Sequence, residues 1–202
     1  AKNMKVLPLT SPDLSHIKPI HLMLRILLNA LVTGVFPYDI NVLLKSVKNS
    51  LRQNSKGVDH QLAYLCHLVS SYVLYLAMFR AGSLDNKILN QILTIQKLVG
   101  QNQDFTDEKK TLASLYNGQA LEQLEDMCFV AASIIMSGSG HNELFTLLQK
   151  RSFMKLLDEQ SPRHYFHHLS LGYLLLGDGK LRLDTGCGQD TLKVASLFAS
   201  IW

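Results

Sequence analysis

The sequence predicts an all-α protein built from stacked helical hairpins. Three observations carry that reading. Apolar residues recur at helical spacing almost throughout, strict alternation never lasts more than a few residues, and one helix–glycine turn–helix pattern recurs three times. The 202 residues suffice for one ample core or a short array. With 47% apolar and 18% charged residues, the chain is too rich in apolar groups to stay disordered.

Taken in order, residues 1–13 form a lead-in segment with two prolines, Pro8 and Pro12. Residues 14–56 read as a degenerate hairpin with Gly34 and Pro37 in its turn. Its second helix follows Pro37-Tyr38-Asp39 and repeats apolar groups at Ile40, Leu43, Leu44, Val47 and Leu51. Residues 57–99 form the next hairpin. Its apolar run over 62–79 approaches the length of a membrane span, and His67, Ser70 and Ser71 within it favour a helix buried by neighbouring helices. Residues 100–119 are expected to be a loop insertion, centred on the polar stretch GQNQDFTDEKKT at 100–111. Hairpins at 120–158 and 159–202 complete the chain, the last truncated at its C-terminal end. Within it, 180–184 alternate enough for a short extended piece, and 184–190 read as a loop. The start at Ala1 without methionine, and the stop at Trp202 inside an apolar run, give the chain the look of a fragment.

The turns align on Gly82, Gly138 and Gly177. Five residues earlier each unit has a small residue: Ala77, Ser133 and Gly172. Four residues later the first two have Asn86 and Asn142. Gly140 and Gly179 share a further column, where the first unit has Leu84. Glycine takes the left-handed conformation that ends helices without a side-chain penalty. Asparagine suits the N-cap of the following helix. A small residue lets a neighbouring helix come close. A single hairpin cannot bury its apolar faces alone, so stacking follows.

Composition narrows the function. The net charge of +4 is spread among acids without a basic block, which argues against nucleic-acid binding. Cys66, Cys128 and Cys187 are few, odd in number and far apart, which fits a reducing compartment and no disulfide framework or zinc ribbon. His164, His167 and His168 share a helix at a spacing that can hold zinc with Cys187 or Asp184, or can simply pack; the packing reading is preferred, with no metal and no cofactor. The glycine turns follow helices rather than strands, so they cap helices and do not cradle phosphate. No nucleophile elbow is present. Glu122, Glu125 and Asp126 are expected on a solvated helix face, with contact to a basic partner as the alternative.

Residues 165–183, YFHHLSLGYLLLGDGKLRL, preceded by CFVAASIIMSGSGHNELFTLL at 128–148, resemble the proteasome/cyclosome repeat family. His167-His168 ahead of the Leu-Gly pair, the long helix from His60 into Ala81-Gly82-Ser83, and residues 17–31 are similar to its anaphase-promoting complex branch; the alternative is the branch of proteasome regulatory-particle scaffolds. The resemblance implies an α-solenoid within a ring-shaped or curved array. It further implies a non-catalytic scaffold of a cullin–RING ubiquitin ligase acting in the cell cycle. The implied partners are platform subunits, the cullin subunit, a small core processivity subunit and a coactivator, with neither nucleic acid nor membrane, in nucleus and cytoplasm. Repeat arrays bind through concave faces and inserted loops, so 100–111 and 184–190 are expected contact segments.

Overall fold

A computed structural model describes residues 19–53, 60–100, 112–155, 162–179 and 191–201. The regular elements among these residues are helices: α1 (Pro19–Thr33), α2 (Ile40–Gln53), α3 (His60–Phe79), α4 (Asn86–Gly100), α5 (Leu112–Ile135), α6 (Asn142–Lys155), α7 (Pro162–Leu174), the single turn α8 (Leu176–Gly179) and α9 (Thr191–Ile201). The expected short extended piece at 180–184, the loop at 184–190 and the loop core at 101–111 lie outside the described residues, as does the lead-in segment.

The first helices of the hairpins, α1, α3, α5 and α7, pack side by side in chain order. Each second helix packs on the first helix of the following hairpin: α2 on α3, α4 on α5, α6 on α7. This staggering decides which helices need apolar residues all round. Helix α5 is flanked by α3, α4 and α7, and every residue from 124 to 138 is buried. The second helices need only one apolar stripe. In α2 that stripe is Ile40, Leu43, Val47 and Leu51, with Lys45 and Lys48 on the exposed side. In α4 it is Leu89, Ile92, Leu93, Ile95 and Val99.

The segment Gln61–Phe79 of α3 is long and apolar enough to cross a membrane, yet 78% of it is buried within the fold, against α1, α2 and α5. Its polar groups are accommodated locally. The hydroxyls of Ser70 and Ser71 donate to the carbonyls of Cys66 and His67, and Ser71 also reaches Met23 of α1 at 3.2 Å.

One boundary differs from the sequence expectation. The insertion expected over 100–119 is shorter, because α4 runs to Gly100 and α5 begins at Leu112. Asn117, Gly118 and Gln119, within that expected insertion, belong to the first turns of α5, where Asn117 is buried and Gly118 faces open space.

Cys66 and Cys128 are free, buried thiols of the core. Burial pushes the Cys66 thiol up to about 12 and raises that of Cys128 as well, so both remain protonated packing groups. Ser133 of α5 is also fully buried, and its hydroxyl has no hydrogen-bond partner. Leaving a hydroxyl unpaired in the interior costs about 1–3 kcal/mol. Ser133→Ala keeps the small volume and removes the orphaned group. We expect it to raise the stability of the chain by about 1 kcal/mol in urea unfolding.

Candidate functional site

The turns within the hairpins, at Gly82 and Gly138, are each joined to the first helix of the next hairpin by backbone hydrogen bonds. The Gly82 N–H donates to the Ile134 carbonyl at 3.0 Å and the Leu84 N–H to Ile135 at 3.1 Å. One hairpin later the Gly138 N–H donates to Tyr173 at 3.0 Å and the Gly140 N–H to Leu174 at 3.1 Å. The register is the same both times: the acceptors stand four and three residues before the glycine of their own turn. Bonds inside the turns repeat too, since Ser83 donates to Arg80 and Ser139 to Met136. The last carbonyls of any helix lack partners within that helix. Here the preceding hairpin supplies them.

The conformation needed for this pairing explains the glycines. Gly82, Gly138, Gly140 and Gly177 have φ of +66°, +66°, +58° and +56°. Leu84, in the column of Gly140, has φ +55° and is held there without the freedom of glycine, its side chain packed against the core. That placement costs about 1–2 kcal/mol relative to a right-handed residue. The degenerate turn at Gly34 (φ +69°) is tied in through a side chain: the Tyr75 hydroxyl donates to the Gly34 carbonyl at 2.7 Å, and Phe36 packs edge-on to Tyr72 at 5.1 Å.

Other residues singled out in the sequence fall as follows. Ala77 and Ser133 are fully buried on α3 and α5. Gly172 is not in a close contact; a methyl group added there meets nothing within 4 Å. Gly179 ends the short helix α8. Asn86 and Asn142 do not cap their helices. The cap of α4 is Asp85, whose Oδ1 accepts from the N–H groups of Lys87 and Ile88 at 2.9 and 3.3 Å. The cap of α6 is His141, whose Nδ1 accepts from Leu144 at 3.3 Å. Both asparagines are exposed first-turn residues. The aspartate was the stronger signal at Asp85, since Asp39 caps α2 in the same way.

Of the carboxylates expected on a solvated face, Glu122 is 45% exposed, whereas Glu125 and Asp126 are the hub of a buried ion network. Arg163, at the start of α7, contacts Glu122 at 3.1 Å, Glu125 at 2.9 Å and Asp126 at 3.2 Å. Arg151 of α6 contacts Glu125 at 3.0 Å, also pairs with Asp126, and lies over the Phe129 ring at 4.7 Å. Gln96 of α4 donates to Glu125 at 3.1 Å. Four helices therefore meet at two carboxylates. Burial pushes the Asp126 carboxyl above its usual range, more than Arg151 and Arg163 draw it down. Sequence alone could not find this cluster, because Arg151 and Arg163 lie 25 and 37 residues from Asp126.

The histidines of α7 lie close together, with ring centroids 6.0 Å apart for His164 and His168 and 5.8 Å for His167 and His168. Burial, and then the neighbouring His168, Arg151 and His164, hold His167 below the ordinary imidazole value, so it packs as a neutral ring. Among the described residues no three of His, Cys, Asp and Glu are grouped to hold a metal ion. Asp184 and Cys187 lie outside those residues.

Two expectations follow from this geometry. Gly138→Val forces a β-branched residue into the left-handed region and should lower stability by about 2 kcal/mol, read as an earlier urea midpoint. Arg163→Ala leaves two buried carboxylates short of a partner and should cost about 3 kcal/mol. Arg163→Lys should recover only part of that loss, because an ammonium cannot bridge three carboxylates in the fixed fork of a guanidinium. Equal stability of Arg163→Ala and the parent would show that the network contributes nothing.

A family model described as the APC1 fifth domain matches residues 1–202, the whole chain. No curated protein sequence matches it. The match follows the anaphase-promoting complex branch of the resemblance, and the proteasome alternative is not favoured. The chain belongs to the APC1 fifth-domain family, and with it to a subunit of the anaphase-promoting complex, a multisubunit ubiquitin ligase.

Proposed function

We propose that this chain is a non-catalytic scaffold element of the anaphase-promoting complex, whose hairpins stack as proteasome/cyclosome repeats in an α-solenoid. The observation that carries the reading is the pairing of turns with helix ends, repeated in one register at Gly82 and Gly138. A chain whose helix termini are completed by neighbouring hairpins holds its shape over a distance, and that is what a scaffold requires. The repeat units are proposed at 57–99, 120–158 and 159–202, with a degenerate unit at 14–56. In this reading α3, α5 and α7 are the first helices of those units.

In this reading the array organises other subunits for ubiquitination of cell-cycle proteins, and catalysis resides elsewhere in the assembly. The proposed neighbours are platform subunits, the cullin subunit, the small core processivity subunit and the coactivator, in nucleus and cytoplasm. The family membership supports this reading. So does the character of the candidate side chains: the Cys66 and Cys128 thiols are buried and protonated, and the Glu125 and Asp126 carboxylates are bound by arginines.

The test is affinity purification of the full-length parent protein with mass spectrometry of its partners, for the parent and for Gly138→Val. Recovery of cullin, RING and tetratricopeptide subunits is expected with the parent, and reduced recovery with the variant. Recovery of proteasome ATPases in their place, or of no ligase subunit, would overturn the proposal.

A further inference from the structure

The fold sorts charges that are scattered along the sequence. Helices α2 and α4 contain no aspartate or glutamate; they carry Lys45, Lys48 and Arg52, and Lys87 and Lys97. All five cations are exposed, on sides turned away from the apolar stripes of these helices. Lys45 and Lys48 stand one turn apart, a spacing at which like charges repel and destabilise a helix. The acids of the first helices are Glu122, Glu125 and Asp126 of α5, and arginines bind all three. Asp39 and Asp85 are engaged by the N–H groups at the starts of α2 and α4. On α6, Glu143 shares the exposed side with Lys150, so the basic face is concentrated on α2 and α4.

The two helices lie on one side of α3. The Tyr72 hydroxyl of α3 accepts from Gln91 of α4 at 3.3 Å and stands within electrostatic reach of Asp39, the cap of α2. The outer sides of α2 and α4 therefore belong to one surface. Between its cations this surface exposes the amides of Asn41, Asn49 and Asn90. Such groups both donate and accept, and so match a peptide backbone. Neither helix contains an aromatic residue on which a base could stack, and the one arginine in the pair is Arg52. The chemistry of the face therefore favours a polypeptide over a nucleic acid.

We propose that the outer face of α2 and α4 docks an acidic polypeptide segment, its carboxylates paired with Lys45, Lys48, Lys87 and Lys97. Alternate side chains of an extended segment recur about every 6.6 Å. Lysines one turn apart on a helix are spaced by about 5–6 Å, so glutamates at alternate positions meet successive lysines. The flexible lysine stems take up the difference. Exposed ion pairs are weak singly and screened by salt, so affinity comes from several pairs made together. The proposal goes beyond the scaffold reading and does not depend on it, because the packing of α2 on α3 and of α4 on α5 is what places the charges.

Fluorescence anisotropy tests this with the 202-residue chain and a labelled peptide of alternating glutamate and serine. A peptide of about 12 residues is long enough when extended to cross both helices. Binding should weaken as salt rises from about 0.05 to about 0.5 M, and should be absent for the same peptide with glutamine in place of glutamate. The double variants Lys45→Gln/Lys48→Gln and Lys87→Gln/Lys97→Gln should each weaken binding about fivefold. Circular dichroism should show unchanged helix content, since all four residues are exposed. Arg25→Gln, which removes an exposed charge from α1, should leave binding unchanged. Failure of the parent chain to bind the peptide overturns the proposal, as does parent-like binding by both lysine variants. Equal weakening by Arg25→Gln would mark attraction by net charge alone and overturn it too. An oligothymidylate of the same charge that binds more tightly than the peptide would overturn the choice of a polypeptide.

Discussion

Helix C-termini are the constraint on which this architecture depends. The last carbonyls of α5 and α7 have no acceptor role inside their own helices, and burial denies them water. The fold resolves this by lending each helix the N–H groups of the preceding turn, Gly82 and Leu84 for α5, Gly138 and Gly140 for α7. Such pairing demands a backbone that turns left-handed just after the helix, and so it selects glycine. It also ties stability to neighbours. A hairpin with its turn unpaired, or its helix end unanswered, loses two backbone bonds at once, each worth about 1 kcal/mol net. Fold and array are therefore one property of this chain.

Side chains reinforce the array where the backbone ladder does not reach. The network of Glu125, Asp126, Arg151 and Arg163 joins α5 to α6 and α7, and Gln96 extends it to α4. Helix α6 packs less extensively than α2 or α4 do on their partners. Its arginine compensates with geometry: the guanidinium stacks on Phe129 while pairing with both carboxylates. Buried ion pairs of this kind offset their own desolvation only when both partners are present. They fix how two elements sit together more than they strengthen the fold.

The helical class and the turns were legible because periodicity and glycine are local signals. The alignment of Gly82, Gly138 and Gly177 needed only the sequence. The partners of those turns were not legible, since Ile134 lies 52 residues from Gly82 and a carbonyl carries no sequence signature. The caps were misplaced by one residue, because asparagine and aspartate compete for the same role and Asp85 stands first. The start of α5 was set too late. Asn117 and Gly118 are weak helix formers, but tertiary packing overrides such preferences. Glu125 and Asp126 were assigned to solvent because a charged residue is usually exposed. Only the fold brings Arg151 and Arg163 to them.

Helix α3 has a consequence for how the chain is made. Its covering helix α5 lies downstream in sequence, with α4 and the intervening segment still to be translated. On the ribosome, a stretch of 19 residues apolar enough to enter a bilayer therefore emerges before the surface that buries it. Nascent chains must be shielded through this interval, by α1 and α2 on one side and by chaperones on the other. A parent protein whose fold opens at α5 re-exposes the same segment, and quality-control machinery that reads apolar helices has a ready signal that the fold has failed.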